Sequence, residues 1–231
     1  MRHAADRPRI CAVIVRKEDV RALRRVEPLV DLVEVRIDMI GEGWQEVPKR
    51  LKLPWLATNR VANEGGQWQG DEASRTAELL KALDLGARYV DIELQTKNVR
   101  KIVETIRKKA KCIVSFHDWD KTPSLRKLET AVRRELAVGA DICKITAKPL
   151  KFEDNATFLE LLNRFPEVPM IATSFGPMGV IGRTLSPLMG GYLTYATIAD
   201  GKGSAEGQIS ARSLRRIYDQ IGPGVQTSLN H

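Results

Sequence analysis

Lys144 stands inside the apolar run Ile142-Cys143-Lys144-Ile145-Thr146, which is bounded by Gly139 and Pro149. Side chains alternate along an extended strand, so Ile142, Lys144 and Thr146 share one face and Cys143 and Ile145 the other. A strand covered on both faces carries that ammonium into a low-dielectric interior, where desolvation and neighbouring cations favour the neutral amine, a nucleophile towards carbonyl carbon. Other reactive types fall in or just after similar runs. His117 follows Ser115 and Phe116, and an imidazole suits proton transfer near neutral pH. Glu34, Arg36 and Asp38 alternate with Val33, Val35 and Ile37, while Asp91 and Glu93 lie two apart, so each set shares a strand face. Asn59 and Arg60 lead into Glu64-Gly65-Gly66, and Arg183 follows the glycine-containing segment Ser174 to Gly182, a place from which a guanidinium could clamp a carboxylate through two parallel hydrogen bonds. A buried nucleophile, an acid/base and several arginines suit carbonyl addition followed by proton transfer on a small acid.

The elements that must position these groups are legible as apolar or β-branched runs at residues 10–15, 32–37, 55–58, 89–94, 112–116, 142–146, 170–174 and 192–198. Amphipathic segments separate them, the alternation expected of βαβ units on a parallel sheet. Eight units predict one (β/α)8 barrel over residues 1–231, with a loose tail at 222–231. Residues 72–85, 98–110 and 124–137 read as helices. Weaker ones are expected at 44–51, interrupted by Pro48, and at 180–189, broken by Pro187. In such a barrel the chemistry lies at the C-terminal strand ends, where the residues named above cluster. Glycines at 176–182 and 201–207 could cradle a phosphate, but neither loop has a nucleotide-binding spacing.

Composition narrows the partners. Lys and Arg number 37 against 29 Asp and Glu, a net charge of +8, which suits an anionic ligand. A basic nucleic-acid-binding protein is the non-enzyme alternative, but aromatic residues make up only 6% and do not interleave with the lysines and arginines of 97–111 or 126–134. A solvated helix face explains those charges more simply, so no nucleic-acid partner is expected. Cys11, Cys112 and Cys143 lack metal spacing and sit in strand-like runs, as reduced core thiols would. No apolar signal core or membrane-length run occurs, so no membrane contact and a cytoplasmic location are expected. Asn155-Ala156-Thr157 matches a glycosylation sequon, read here as chance.

The order and spacing of Glu34-Val35-Arg36-Ile37-Asp38, Arg60 with Glu64-Gly65-Gly66, Asp91-Ile92-Glu93, Ser115-Phe116-His117-Asp118 through Thr122-Pro123, Lys144, Gly182-Arg183 and Gly207-Gln208 resemble type I 3-dehydroquinate dehydratases across effectively the whole chain. The resemblance implies dehydration of 3-dehydroquinate to 3-dehydroshikimate in the shikimate pathway, through an imine on Lys144 with His117 as general base and then acid. It also implies a homodimer. The iminium is itself an electron sink, so neither a metal nor an organic cofactor is expected. Glu93 or Asp91 would hold the imidazole and Arg183 the substrate carboxylate, with Glu34, Arg36, Arg60, Glu64, Ser204 and Gln208 completing the substrate site. Arg36 or Arg60 near Lys144 would favour its neutral form. Glu206 replaces a proline usual in the family's last loop, and Thr173 and Phe175 replace a methionine-containing pair, which puts lid closure and packing around the imine in question. A class I aldolase or transaldolase also uses a strand lysine in a barrel and is the alternative enzyme.

Overall fold

The computed structural model describes residues 7–198 and 207–221. Within them every run named above is extended: β1 (Ile10–Ile14), β2 (Leu32–Arg36), β3 (Trp55–Thr58), β4 (Tyr89–Glu93), β5 (Lys111–Asp118), β6 (Ile142–Ala147), β7 (Met170–Ser174) and β8 (Thr194–Thr197). Between and after them lie α1 (Asp19–Leu23), α2 (Ile37–Ile40), α3 (Glu72–Asp84), α4 (Val99–Ile106), α5 (Leu125–Ala137), α6 (Asn155–Arg164), α7 (Val180–Leu185) and α8 (Ala211–Ile221). The strands pair in parallel in the order β7-β6-β5-β4-β3-β2-β1-β8. Across the remaining seam the Tyr192 amide donates to the Met170 carbonyl at 2.7 Å, which brings the sheet round into a nearly closed barrel.

Local sequence explains the helices. Asp71 caps α3 by accepting from the Ser74 amide at 2.7 Å, a contact worth about 1 kcal/mol. Leu79, Ala82 and Leu83 then form its buried stripe. Ser124 caps α5 in the same way. Pro48 splits the expected helix at 44–51 into two 3-10 turns, and α7 ends at Leu185, ahead of Pro187. The second strand ends at Arg36 rather than Ile37, so Asp38 lies in the turn α2 and not on a strand face as expected. The tail at 222–231, Ser204 and Glu206 lie outside the described residues.

Two layers of core follow from strand alternation. The outward faces of the strands pack against the helices, for example Val33, Val35, Val90 and Ile92 with Leu79 and Val103, and Cys143, Ile145 and Ala172 with Phe158 and Leu161. Each fully buried Leu or Ile contributes roughly 1.5–3 kcal/mol of transfer free energy. Inside the barrel Leu32, Leu56, Ile113, Ile142, Ile171 and Leu193 form an apolar plug toward the N-terminal strand ends. Two residues further along the same inward faces come Glu34, Thr58, Ser115, Lys144, Thr173 and Tyr195, all buried. The apolar plug thus floors a polar chamber that opens toward the C-terminal strand ends, where barrel active sites lie.

Candidate active site

The register of the sheet builds the site. Ser115 lies beside Lys144 and Lys144 beside Ile171, while His117 lies beside Thr146 and Thr146 beside Thr173. His117 therefore stands one pleat above the lysine on the adjoining strand. They line one cleft with Glu34, Arg36, Arg60, Glu64, Arg183 and Gln208, enclosing roughly 600 Å³ with its open mouth included, a size suited to a small organic acid.

Lys144 is only 6% exposed, and its Nζ lies 2.7 Å from Asp91 Oδ2 and 4.6 Å from the centre of the Tyr195 ring. The charged group in direct contact with Lys144 is thus a carboxylate, and Arg60, expected near the lysine, lies on the other oxygen of the same Asp91. Asp91 is itself fixed from the other side: Ser115 Oγ donates to its Oδ1 at 2.7 Å and Arg60 Nη2 lies 2.8 Å from that oxygen. Burial works against its ionised form, but Arg60, Lys144 and His117 outweigh it and hold the carboxyl well below the usual range.

His117 Nδ1 lies 2.9 Å from Glu64 Oε2. This corrects the expectation that Glu93 or Asp91 holds the imidazole. Glu93 is turned toward two arginines, with Oε1 accepting from Arg60 Nη1 at 2.8 Å and Oε2 lying 2.7 Å from Arg75 Nη1. Burial, reinforced by the positive charges of Arg60 and Lys144, holds the imidazole well below its ordinary pKa, so it is neutral at pH 7. Burial pushes the Glu64 carboxyl up to about 7, with Glu93 and Asp91 adding to the rise and Arg60 opposing it.

The loop carrying Glu64 reaches the site through a glycine. Gly65 has φ +77°, and any Cβ there would run into the Trp119 indole. Trp119 in turn stacks on Phe175 with ring centroids 4.0 Å apart, so Gly65, Trp119 and Phe175 form one wall of the cleft. Arg36 makes a two-point pair with Asp38 at 2.9 and 2.7 Å, and Asp38 Oδ2 also accepts from the Gln67 amide at 3.0 Å. Thr58 Oγ1 donates to Glu34 Oε1 at 2.8 Å. Arg183 donates from Nε to the Ser174 carbonyl at 2.6 Å, which orients its guanidinium at the cleft, and burial lowers its pKa to about 10. The hydroxyls of Thr146, Thr173 and Tyr195, all lining the cleft, are buried without a hydrogen-bond partner, as expected of groups waiting for a polar ligand.

The structure thus brings together Lys144, His117, Glu34, Arg36, Arg60, Glu64, Arg183 and Gln208. Glu93 stands behind this set, and Ser204 lies outside the described residues. Sequence reading missed Tyr195, Thr58 and Trp119 in the cleft and Arg75 behind it. Tyr195 and Thr58 were accessible through strand alternation, since each sits two positions beyond an inward leucine, Leu193 or Leu56. Asn155 of the sequon is 2% exposed and fully engaged, accepting from Ser174 Oγ and the Gly182 amide and donating to the Phe152 and Met178 carbonyls, so it is a structural residue.

Comparison with known proteins agrees with this arrangement. A family model described as type I 3-dehydroquinase matches residues 10–224. A 3-dehydroquinate dehydratase of Dehalococcoides mccartyi is 36% identical over 214 residues, covering 93% of this chain and 96% of the relative. One from Methanocaldococcus jannaschii is 35% identical over 216 residues, covering 90% and 97%. Among solved structures, the type I 3-dehydroquinate dehydratase of Clostridium difficile with covalent modified comenic acid superposes with a TM-score of 0.84 at 27% identity, covering 94% of this chain and 93% of that one. With a family model spanning nearly all of its length and relatives above the 30% level matched from end to end, this chain belongs to the type I 3-dehydroquinase family.

Proposed function

We propose that this member of the family dehydrates 3-dehydroquinate to 3-dehydroshikimate through a covalent imine on Lys144, with His117 moving the proton. The observation that carries the reading is a buried lysine on the inward face of β6 one pleat from a neutral histidine, inside a cleft sized for a small acid. Addition of the unprotonated Lys144 amine to the substrate ketone and loss of water give an iminium. Its positive nitrogen accepts the electron pair left when His117 removes a proton from the adjacent carbon. The resulting enamine expels the β-hydroxyl, which leaves as water with the proton from His117, and hydrolysis of the imine frees the enone and Lys144. Asp91 serves as counter-ion to the iminium, and Glu64 accepts the Nδ1 proton of His117 and steadies the imidazolium. Arg183 binds the substrate carboxylate. Glu34, with Gln208 and Ser204, binds hydroxyls. Arg60 and Arg36, already paired with carboxylates, offer only their remaining donors.

The same proposal extends to the protein's setting. Association of two copies is supported by the exposed apolar side chains Leu150, Phe152, Met178 and Ile181, of which Phe152 and Met178 lie on segments joined where both backbone carbonyls accept from Asn155. Sedimentation of the chain, and of a Phe152→Glu variant that should dissociate, tests it. Three buried, unpaired cysteines support the cytoplasm as the working compartment. Enzyme mixed with 3-dehydroquinate and borohydride should gain the ligand mass irreversibly on the peptide containing Lys144, and Lys144→Ala should lose that label. Labelling by a sugar phosphate instead would favour an aldolase, and a label on Lys148 would reject the site.

A further inference from the structure

Lys144 is the inner end of a chain of alternating charges that crosses the sheet. Its Nζ lies 2.7 Å from Asp91 Oδ2, and Asp91 Oδ1 lies 2.8 Å from Arg60 Nη2. Arg60 Nη1 lies 2.8 Å from Glu93 Oε1, and Glu93 Oε2 lies 2.7 Å from Arg75 Nη1. Arg75 Nη2 then meets Glu72 Oε1 at 2.7 Å. Arg75 stands on α3, on the helix side of the barrel, and its side chain is 1% exposed, whereas that of Glu72 is 40% exposed. The inner links are all buried, where charges are poorly screened.

Resting on the imine reading above, we infer that Arg75, outside the cleft and in contact with no reacting group, is a positioning residue that sets how firmly Asp91 holds Lys144. Two carboxylates share Arg60. Arg75 lies against one oxygen of Glu93 as a charge contact, since that oxygen accepts no hydrogen bond, and its positive charge leaves Arg60 available to Asp91. Together the two arginines put positive charge behind Asp91, which loosens its hold on the ammonium that must be released before attack. Without Arg75, Glu93 draws Arg60 toward itself and Asp91 falls back on Lys144. Arg75 also donates to the Asn59 carbonyl at 2.8 Å and to Thr96 Oγ1 at 3.0 Å, so a purely structural role, fastening α3 to the ends of β3 and β4, is the competing account.

The two accounts differ in sign. Glu93→Gln keeps the side-chain volume but frees Arg60 for Asp91, whereas Arg75→Gln removes the charge that occupies Glu93. The experiment measures single-turnover borohydride labelling of Lys144 by 3-dehydroquinate, with kcat and KM, in the wild type, Arg75→Gln, Arg75→Lys and Glu93→Gln. Arg75→Gln should slow labelling and kcat by about 2- to 30-fold, the range of coupling carried through such networks, at nearly unchanged KM. Arg75→Lys, which keeps the charge but loses the fork, should recover most of the rate. Glu93→Gln should label faster than the wild type, and that measurement decides the matter even where Arg75→Gln does not fold. Equal impairment of both Arg75 variants, slower or unchanged labelling in Glu93→Gln, or wild-type labelling in a folded Arg75→Gln overturns the inference while the imine reading stands. A wild type that never labels on Lys144 overturns both.

Discussion

Replacing Gly65 with alanine tests whether the loop that carries Glu64 has to pass under Trp119. Two costs are separable. The first is conformational: Gly65 has φ +77°, a left-handed backbone that costs a residue with a Cβ about 1–2 kcal/mol. Gly86, which closes α3, has φ +86° and open space where its Cβ would go, so Gly86→Ala measures that cost alone. At about 2–4 °C per kcal/mol for a chain of this length, Gly86→Ala should lower Tm by about 2–8 °C and leave kcat unchanged. The second cost belongs to Gly65 alone. Its Cβ would enter the Trp119 ring, which is backed by Phe175 at 4.0 Å, so the softer partner, the loop, has to move. Glu64 then leaves His117, and the 2.9 Å contact is lost. A hydrogen bond to a charged group is worth about 1.5–3 kcal/mol, so kcat should fall by roughly 10- to 150-fold. Thermal unfolding and steady-state kinetics on the two variants suffice. Equal Tm losses with wild-type kcat in Gly65→Ala would show that Trp119 does not hold this loop and that the Glu64–His117 geometry tolerates its displacement.

Other outcomes follow from the same geometry. With the Glu64 carboxyl pushed up to about 7, kcat/KM should rise with pH through that value as the carboxylate that supports the imidazolium forms, and Glu64→Gln should lower the rate and abolish the step. A step near 7 that survives in Glu64→Gln would assign it elsewhere. Because the folded protein keeps this proton after the unfolded chain has lost it, Glu64 also makes stability fall as pH rises from 4.5 to about 7, a slope that chemical denaturation should find reduced in Glu64→Gln. Arg183→Lys keeps a charge but loses the planar fork, so substrate binding should weaken by about 1.5–3 kcal/mol, and Gln208→Ala, losing a neutral amide, should weaken it less. Dissociation constants in the reverse order would place the carboxylate elsewhere. Chelation with EDTA should leave the rate unchanged, since the iminium supplies the electron sink; activity lost and then restored by a divalent ion would refute the imine route.

The strand residues of this site were legible because a two-residue period is independent of what surrounds it. Lys144, Glu34 and His117 point inward by the same alternation that buries Ile142, Leu32 and Ile113. Contacts were not legible, because they depend on distances the pattern does not encode. Glu64 reaches His117 from 53 positions away along a loop whose path is set by Gly65 against Trp119, so nothing local distinguished it from Asp91 or Glu93. Arg75 looked like any helix-face arginine, since an amphipathic pattern separates apolar from charged residues but does not say which charged residue turns inward. The alternation continues through Ile37 and so predicts Asp38 on the strand face, whereas the backbone turns helical there and Asp38 meets Arg36 from that turn.

The barrel seam affects how the molecule opens. β7 and β8 are joined through the Tyr192 amide and Met170 carbonyl, while β8 is laddered to β1 on its other side. Arg183 follows β7, and Gln208 follows β8. The two stand on opposite banks of this seam. Besides that single strand-to-strand bond, the Tyr218 hydroxyl on α8 donates to the Thr184 carbonyl on α7 and Gly207 packs against the Gly176 backbone, so side-chain and loop contacts hold this seam where the ladder does not. In hydrogen exchange the Tyr192 amide, held by one bond across the seam, should therefore exchange sooner than the amides of β4, β5 and β6, which are laddered on both sides.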